Sequence, residues 1–133
     1  MRLGVLSLKF PWLWLSIGLG LVACVIFGSV APGVLENTFQ FSGADKLGHA
    51  ASYFLLVIWF SGLYSRRHHA LLAVAMLALG LTLEVIQWQL PYRQFDFADL
   101  LANASGVILG LGFSAWLFAG WCQRLEQRLG YHD

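Results

Sequence analysis

Four long apolar segments run through this sequence, at about residues 10–31, 45–64, 70–90 and 97–121. Each is close to the roughly 20 residues that an α-helix needs to cross the hydrocarbon core of a bilayer. The connections are short, and 59% of the residues are hydrophobic whereas only 11% are charged. We therefore predict an all-α, four-transmembrane-helix bundle, with residues 1–133 forming a single membrane domain whose first partner is the lipid bilayer.

Lysine and arginine residues predict the orientation of this bundle. All eight except Lys46 and Arg93 fall before the first segment, between the second and third, or after the fourth. Because basic residues concentrate in cytoplasmic loops, both termini are predicted to be cytoplasmic. The basic residues are scattered rather than gathered into a stripe, which argues against a nucleic acid partner.

The first segment is open to two interpretations. The sequence from Leu21 to Cys24 resembles the site where bacterial lipoproteins are cleaved, but the apolar run is too long for a signal peptide and favours a membrane span. Small residues recur at intervals of four along it, which predicts a packing helix that closes the bundle: Ser16, Gly20, Cys24 and Gly28. Cys24 and Cys122 are expected near opposite membrane faces, too far apart for a disulfide.

The connection over residues 32–44 is predicted to be a loop that dips Phe39 and Phe41 into the membrane interface. It ends in Ser42-Gly43-Ala44-Asp45, which has the S-x-x-D pattern of a capping box. The second helix is therefore expected to begin within a residue or two of Ser42.

Polar residues lie inside three of the apolar segments, where lipid cannot satisfy them. Their helical spacing places each set on one side of its helix: Asp45 and His49; Glu84 and Gln87; Asp99, Asn103, Gly106 and Gly110. In the predicted topology all three sets reach the outer membrane face at similar depth. We therefore expect them to meet in the interior of the bundle.

The residue types predict roles within this cluster. The candidate catalytic residues are Asp45, His49, Glu84 and Asp99. The candidate substrate-binding residues are Lys46, Gln87, Arg93, Asp96 and Asn103. Gly106 and Gly110 form a G-x-x-x-G pair and predict a close helix contact.

Glu84 carries most weight in this interpretation, because a charged residue inside a span costs roughly 2.5–3.5 kcal/mol on insertion scales. It needs a partner, and the sequence offers His49, Arg93 and Asn103. The simpler alternative is that Asp45 and Asp99 only cap the starts of their helices. A divalent metal held by His49, Glu84 and Asp99 is one candidate cofactor, although no recognised ligand spacing is present.

Read in order, these residues resemble the VanZ-like family of small bacterial membrane proteins. The similarity rests on Asp45-Lys46-x-x-His49, Glu84-x-x-Gln87 and Arg93-x-x-Asp96-x-x-Asp99-x-x-x-Asn103, followed by Gly106 and Gly110. It covers about residues 44–112. The family is named for a protein linked to resistance to the glycopeptide teicoplanin. The resemblance implies a multi-pass protein of the bacterial inner membrane that acts in the cell envelope, and it implies no particular reaction.

Two functions follow from these patterns. In the first, the outer-face site binds or processes an anionic cell-envelope or lipid-linked substrate, with a lipid-linked precursor as its ligand and a link to glycopeptide-type resistance. In the second, the protein is a structural accessory subunit of a larger membrane complex, and the polar cluster is an interhelical stabilising network. Because the sequence holds no nucleophile elbow, glycine-rich phosphate loop or zinc-protease helix, both enzymatic and non-enzymatic roles stay open.

Overall fold

The structure, a computed structural model, describes residues 4–31 and 43–131, and the predicted interfacial loop lies almost wholly outside them. Its helices are α1 (Pro11–Val30), α2 (Ala44–Leu63), α3 (His69–Trp88), α4 (Phe97–Phe113) and α5 (Trp121–Arg128). A 3₁₀ turn, Arg66–His68, leads into α3, and a π-helical turn, Ser114–Phe118, follows α4. The predicted all-α class is confirmed.

Three stretches are long and apolar enough to cross a membrane: Pro11–Val30, Arg66–Trp88 and Phe97–Arg128. The second helix is not among them, because Asp45, Lys46 and His49 lie in its first two turns and reduce its hydropathy. The four-span arrangement and the cytoplasmic termini therefore stay predictions. This helix begins at Ala44 with Gly43 as its N-cap, in a left-handed conformation with φ 88° and no capping side chain. The start at Ala44 lies within two residues of Ser42, as expected, whereas the predicted Ser42 cap itself lies outside the described residues.

The central contact of the bundle joins α2 to α4. Gly106 faces the backbone of α2 so closely that a Cβ there would lie 2.2 Å from the Ala50 carbonyl oxygen. One turn along, a Cβ on Gly110 would lie 2.9 Å from the Cβ of Val57. Small residues at such positions let two helix backbones approach, and van der Waals contact then holds them together. The apolar core continues on the same face of α2, with Val57 and Leu56 almost fully buried.

The first helix packs differently from the prediction. Its buried residue is Gly18, where a Cβ would lie 2.9 Å from both Trp59 and Phe60. The expected packing stripe was wrong, since a Cβ on Gly20 or Gly28 would meet no other described residue within 4 Å. The other end of α1 is held by side chains that donate hydrogen bonds to its last carbonyls, which have no partner within the helix. These bonds run from Gln87 Nε2 to Ser29 O (2.7 Å) and from Tyr92 Oη to Val30 O (2.9 Å).

The fourth predicted span, residues 97–121, is interrupted. After Phe113 the chain widens into the π-helical turn, and at Gly120 the backbone takes φ 69° before α5 begins. The turn is fixed from α2, because the Ser61 hydroxyl donates to Ser114 Oγ at 2.8 Å and both residues are fully buried. Helical turns of the π type are rare and occur mostly as single turns within α-helices.

At the same end of the bundle, Glu126 of α5 is buried against the start of α1. Its carboxylate accepts hydrogen bonds from Lys9 N (2.6 Å), Phe10 N (3.0 Å) and Trp14 Nε1 (2.8 Å). Lys9 and Phe10 directly precede α1, and the positive end of the helix dipole lies there, so a carboxylate at this position is stabilising. The C-terminal helix is thereby joined to the first one.

Candidate functional site

The start of α2, the end of α3 and the start of α4 lie together at the other end of the bundle. Four of the chain's seven acidic residues are found here: Asp45, Glu84, Asp96 and Asp99. Asp96 is the N-cap of α4, and its Oδ1 accepts from Ala98 N at 2.8 Å. The capping role therefore belongs to Asp96 rather than to Asp99, whose buried side chain points into the cluster.

Lys46 joins α2 to the start of α4. Its Nζ lies 2.5 Å from Asp96 Oδ2, 3.0 Å from Asp99 Oδ1 and 3.7 Å from Asp45 Oδ2. The contact with Asp96 is charge-assisted and short, as expected for an ammonium beside a carboxylate. The predicted binding residue Lys46 is thus already engaged with two carboxylates of the cluster.

His49 lies between the carboxylates and an amide. Its Nδ1 is 3.1 Å from Asn103 Oδ1, and its Nε2 is 3.4 Å from Asp99 Oδ2 and 3.7 Å from Asp45 Oδ1. The ring is largely buried, with 11% of its side chain exposed. A carboxylate on one ring nitrogen orients an imidazole and fixes its tautomer, which is how histidines are prepared for proton transfer.

Glu84 is almost fully buried, but its partner is not one of the three that the sequence offered. Its Oε1 accepts a hydrogen bond from the backbone N–H of Asp96 at 2.7 Å. Its Oε2 has no hydrogen-bond partner among the residues that the structure describes. The carboxylate therefore joins the cluster through the α3–α4 loop rather than through His49 or Asn103.

The remaining candidates divide between this cluster and α1. Gln87 points away from the carboxylates, toward the end of α1. Arg93 Nη1 lies 4.0 Å from Asp45 Oδ1, and only 15% of the Arg93 side chain is exposed. These contacts join eight residues, which we call the outer polar cluster after the membrane face predicted for it from the sequence: Asp45, Lys46, His49, Glu84, Arg93, Asp96, Asp99 and Asn103.

A cavity of about 340 Å³ lies between the second half of α1 and α2. Its walls are mostly apolar and include Leu21, Val25 and Phe27 from α1 and Leu55 and Leu56 from α2. Its other end reaches the outer polar cluster, where it is lined by Asp45, His49 and Arg93. Small residues of α1, Cys24 and Gly28, contribute to the opening, and a Cβ on Gly28 would meet no other described residue within 4 Å.

A cation could be held by Asp45, His49 and Asp99, whose ligand atoms lie within 4.8 Å of one another. Glu84, a predicted metal candidate, is outside this group. Lys46 already supplies a positive charge there, since its Nζ lies 3.0 Å from Asp99 Oδ1. Carboxylate oxygens and imidazole suit several divalent ions. To bind here, such an ion would have to displace the Lys46 ammonium.

Sequence analysis missed one residue of this region, Tyr53. Its ring forms part of the cavity wall, and its buried hydroxyl lies 3.4 Å from the position a Cβ on Gly80 would take, with no hydrogen-bond partner among the described residues. The spacing from His49 to Tyr53 is i, i+4, which places both on one face of α2. This spacing is the sequence signal from which Tyr53 could have been assigned to the site.

The charge of Asp96 should make stability depend on pH. The Lys46 ammonium, and then the Ala98 N–H, hold the pKa of this carboxyl below its ordinary value. A lowered pKa stabilises the fold at pH values above that of the unfolded chain, about 3.9, and the contribution is lost as pH falls through the lower, folded value. Asp96→Asn keeps an oxygen for capping and removes the charge.

We therefore expect Asp96→Asn to lower the thermal unfolding temperature in detergent at pH 7, and we expect the gap from the wild type to close below about pH 4. Unfolding temperatures of both proteins across this pH range measure the effect. An equal gap at every pH would show that the ion pair with Lys46 makes no contribution.

Comparison with known proteins gives one family match. The family model described as VanZ/LLP1 matches residues 17–118, which includes all of the outer polar cluster. No curated protein matches the chain, and no solved structure does. The match covers well over half of the sequence and agrees with the resemblance carried by the polar motifs. The chain belongs to the VanZ/LLP1 family.

Proposed function

We propose that the outer polar cluster and the adjoining cavity form one site that binds an anionic, lipid-linked substrate of the bacterial cell envelope. In this proposal α2 is the fourth membrane-crossing helix, both termini are cytoplasmic, and the cluster faces outward in the inner membrane. Support for this orientation comes from Arg66, Arg67, Arg124 and Arg128, which lie at the opposite end of the bundle.

The main support for the proposal is the change in the residues that line the cavity, from apolar along most of its wall to charged at one end. Most of its wall is apolar, while one end holds Arg93 beside Asp45 and His49. Ligand pockets are typically about 300–1,000 Å³, mostly apolar, and carry a few polar groups that orient the ligand. An amphiphile fits such a cavity because its chain replaces lipid contacts and its headgroup meets the charged end.

Individual residues can be given roles in this site. Arg93 engages an anionic group, since a guanidinium presents several donors to phosphate or carboxylate oxygens. His49, positioned by Asp99 and Asn103, is the group best placed to exchange a proton with a bound ligand. Asp96 and Lys46 act on the ligand only indirectly, because they bind each other.

Removing the charge of Arg93 tests this proposal. We expect Arg93→Gln to reduce binding of phosphatidylglycerol, a lipid with an anionic phosphate, by about tenfold, because one charge-assisted contact of roughly 1.5–3 kcal/mol is lost. The protein is purified in detergent, freed of lipid and titrated, and bound lipid is counted by native mass spectrometry.

Arg67→Gln is the matched control, because Arg67 is exposed and lies at the far end of the bundle. It removes the same charge without touching the cavity, so its binding should equal that of the wild type. Equal binding by the wild type and Arg93→Gln would refute the proposed site.

A second candidate is favoured by one observation: Lys46, Asp96, Asp99 and Glu84 are engaged with each other or with the α4 backbone. Such a network could serve only to hold α2, α3 and α4 together in an accessory subunit of a larger complex. That function predicts that Glu84→Gln lowers the unfolding temperature, leaves lipid binding unchanged and abolishes co-purification with a stoichiometric partner. The binding site predicts that correctly folded His49→Ala loses lipid binding. Resistance to glycopeptide-type antibiotics is a further cellular readout for both.

A further inference from the structure

The charged end of the cavity carries both signs of charge. Arg93 Nη1 and Asp45 Oδ1 lie 4.0 Å apart, and both residues line the cavity. A headgroup with only negative charge would gain the attraction of Arg93 and also meet the repulsion of Asp45. At such short separations inside a protein, the two effects are of similar size. The charge pattern therefore fits a headgroup that is itself charged in both senses.

Asp45 lacks a close donor among the described residues. Its carboxylate oxygens lie 3.7 Å from Lys46 Nζ, 3.7 Å from His49 Nε2 and 4.0 Å from Arg93 Nη1. Lys46 and His49 each have a nearer carboxylate, at 2.5 Å for Asp96 and 3.4 Å for Asp99. With 27% of its side chain exposed beside the cavity, Asp45 can still accept hydrogen bonds from a bound cation.

The apolar part of the cavity determines the chemistry of the other half of the ligand. Gly28 lines it, and the space above Gly28 is open because no other described residue would come within 4 Å of a Cβ there. Cys24, one turn earlier, lines the same wall and is exposed. A groove with this apolar lining, beside a helix long and apolar enough to cross a membrane, has the polarity that suits an acyl chain.

We infer that the ligand of this site is a phospholipid whose headgroup carries a phosphate and a primary ammonium, as in phosphoethanolamine. The inference rests on the proposed function: it keeps the contact between Arg93 and an anionic phosphate and adds a positively charged group that binds Asp45. The phosphate binds Arg93, the ammonium donates to Asp45, and one acyl chain lies in the groove beside Gly28. A quaternary ammonium has no N–H to donate, so a choline headgroup is discriminated against.

The test compares three lipids with identical acyl chains: phosphatidylethanolamine, phosphatidylglycerol and phosphatidylcholine. The full-length protein is freed of lipid in detergent, and native mass spectrometry measures the binding of each. We expect the wild type to bind phosphatidylethanolamine about tenfold more tightly than either of the others, the factor that one charge-assisted hydrogen bond gives. Equal binding of phosphatidylethanolamine and phosphatidylglycerol by the wild type would overturn the inference without using any variant.

Two substitutions separate the headgroup from the chain. Asp45→Asn should reduce phosphatidylethanolamine binding to the level of phosphatidylglycerol and leave the latter no weaker. Gly28→Leu should fill the groove and weaken all three lipids several-fold, whereas Gly20→Leu, on the same helix but outside the cavity wall, should leave them unchanged. Unaltered selectivity in Asp45→Asn, or equal effects of the two leucine substitutions, would contradict the inference.

These results are distinguishable from a failure of the proposed function. If Arg93→Gln loses phosphatidylglycerol binding but the wild type shows no preference for the amine, the anionic site stands and the phosphoethanolamine class is wrong. If Arg93→Gln binds every lipid as the wild type does, both are wrong.

Discussion

Replacing Gly106 by alanine is expected to destabilise the bundle more than alanine at any other glycine of the described helices. The new Cβ would lie 2.2 Å from the Ala50 carbonyl oxygen and 3.1 Å from the Ala50 Cα, so α2 and α4 must move apart. Neither neighbour is a flexible side chain that could turn away. We expect a loss on the order of 3 kcal/mol, at the upper end of typical overpacking costs, despite the better helix propensity of alanine.

The outer polar cluster should be disturbed by the same substitution. Ala50 follows His49 directly, and Gly106 lies one turn from Asn103, so separating the backbones lengthens the contact between His49 and Asn103. Lipid binding should therefore fall together with the unfolding temperature. Stability is measured by adding increasing concentrations of a denaturing detergent and monitoring unfolding by circular dichroism.

Gly112→Ala is the control for this experiment. Gly112 belongs to the same helix, and a Cβ there would meet no other described residue within 4 Å. The substitution should leave stability unchanged or raise it by up to about 1 kcal/mol, the difference in helix propensity. If Gly106→Ala were as stable as Gly112→Ala, the close contact between α2 and α4 would be refuted.

The second large effect is expected for Glu126→Ala. The carboxylate accepts from Lys9 N, Phe10 N and Trp14 Nε1, and the alanine variant removes all three partly buried hydrogen bonds. Because a hydrogen bond to a charged group contributes about 1.5–3 kcal/mol, we expect a total loss of roughly 3 kcal/mol. Protease digestion should then cleave the variant before α1 or after α4 at lower concentrations than the wild type.

Gln127→Ala removes a neighbouring exposed side chain of α5 and should change stability by no more than about 0.5 kcal/mol. Lipid binding at the outer polar cluster should survive Glu126→Ala under conditions where the protein stays folded, because Glu126 lies at the other end of the bundle. Similar stabilities for Glu126→Ala and Gln127→Ala would contradict the role given to this carboxylate.

The sequence predicted well those features that depend on periodicity. Asp45 and His49, and Asp99 and Asn103, are pairs spaced by four, and a helix must present each pair on one face. The structure brings these residues together. The same reasoning places Gly106 and Gly110 toward α2, because small residues next to a polar stripe allow close approach.

Features that depend on backbone groups or on particular neighbours did not follow from the sequence. The hydrogen-bond partner of Glu84 is the backbone N–H of Asp96. The residue type at that position does not predict such a bond. Gln87 lies three residues after Glu84, on nearly the same face of α3. Its side chain nevertheless donates to a carbonyl at the end of α1, because the last carbonyls of a helix have no partner within it.

The prediction for the packing of the first helix was wrong for a related reason. A stripe of small residues predicts a close contact only if a partner helix lies opposite it, and in this fold α1 meets its neighbours at Gly18 instead. The small residues Cys24 and Gly28 line a cavity. The contacts of Glu126 could not be predicted either, because only the fold places the backbone amides of Lys9 and Phe10, just before α1, beside it.

The proposed site requires a ligand chain between α1 and α2 with its headgroup at Arg93, and an experimental density map of the protein in phospholipid nanodiscs tests this directly. We expect elongated density beside Gly28 that ends in a stronger feature between Arg93 and Asp45. A map in which α1 packs directly on Leu55 and Leu56, with no cavity and no density there, would contradict the account.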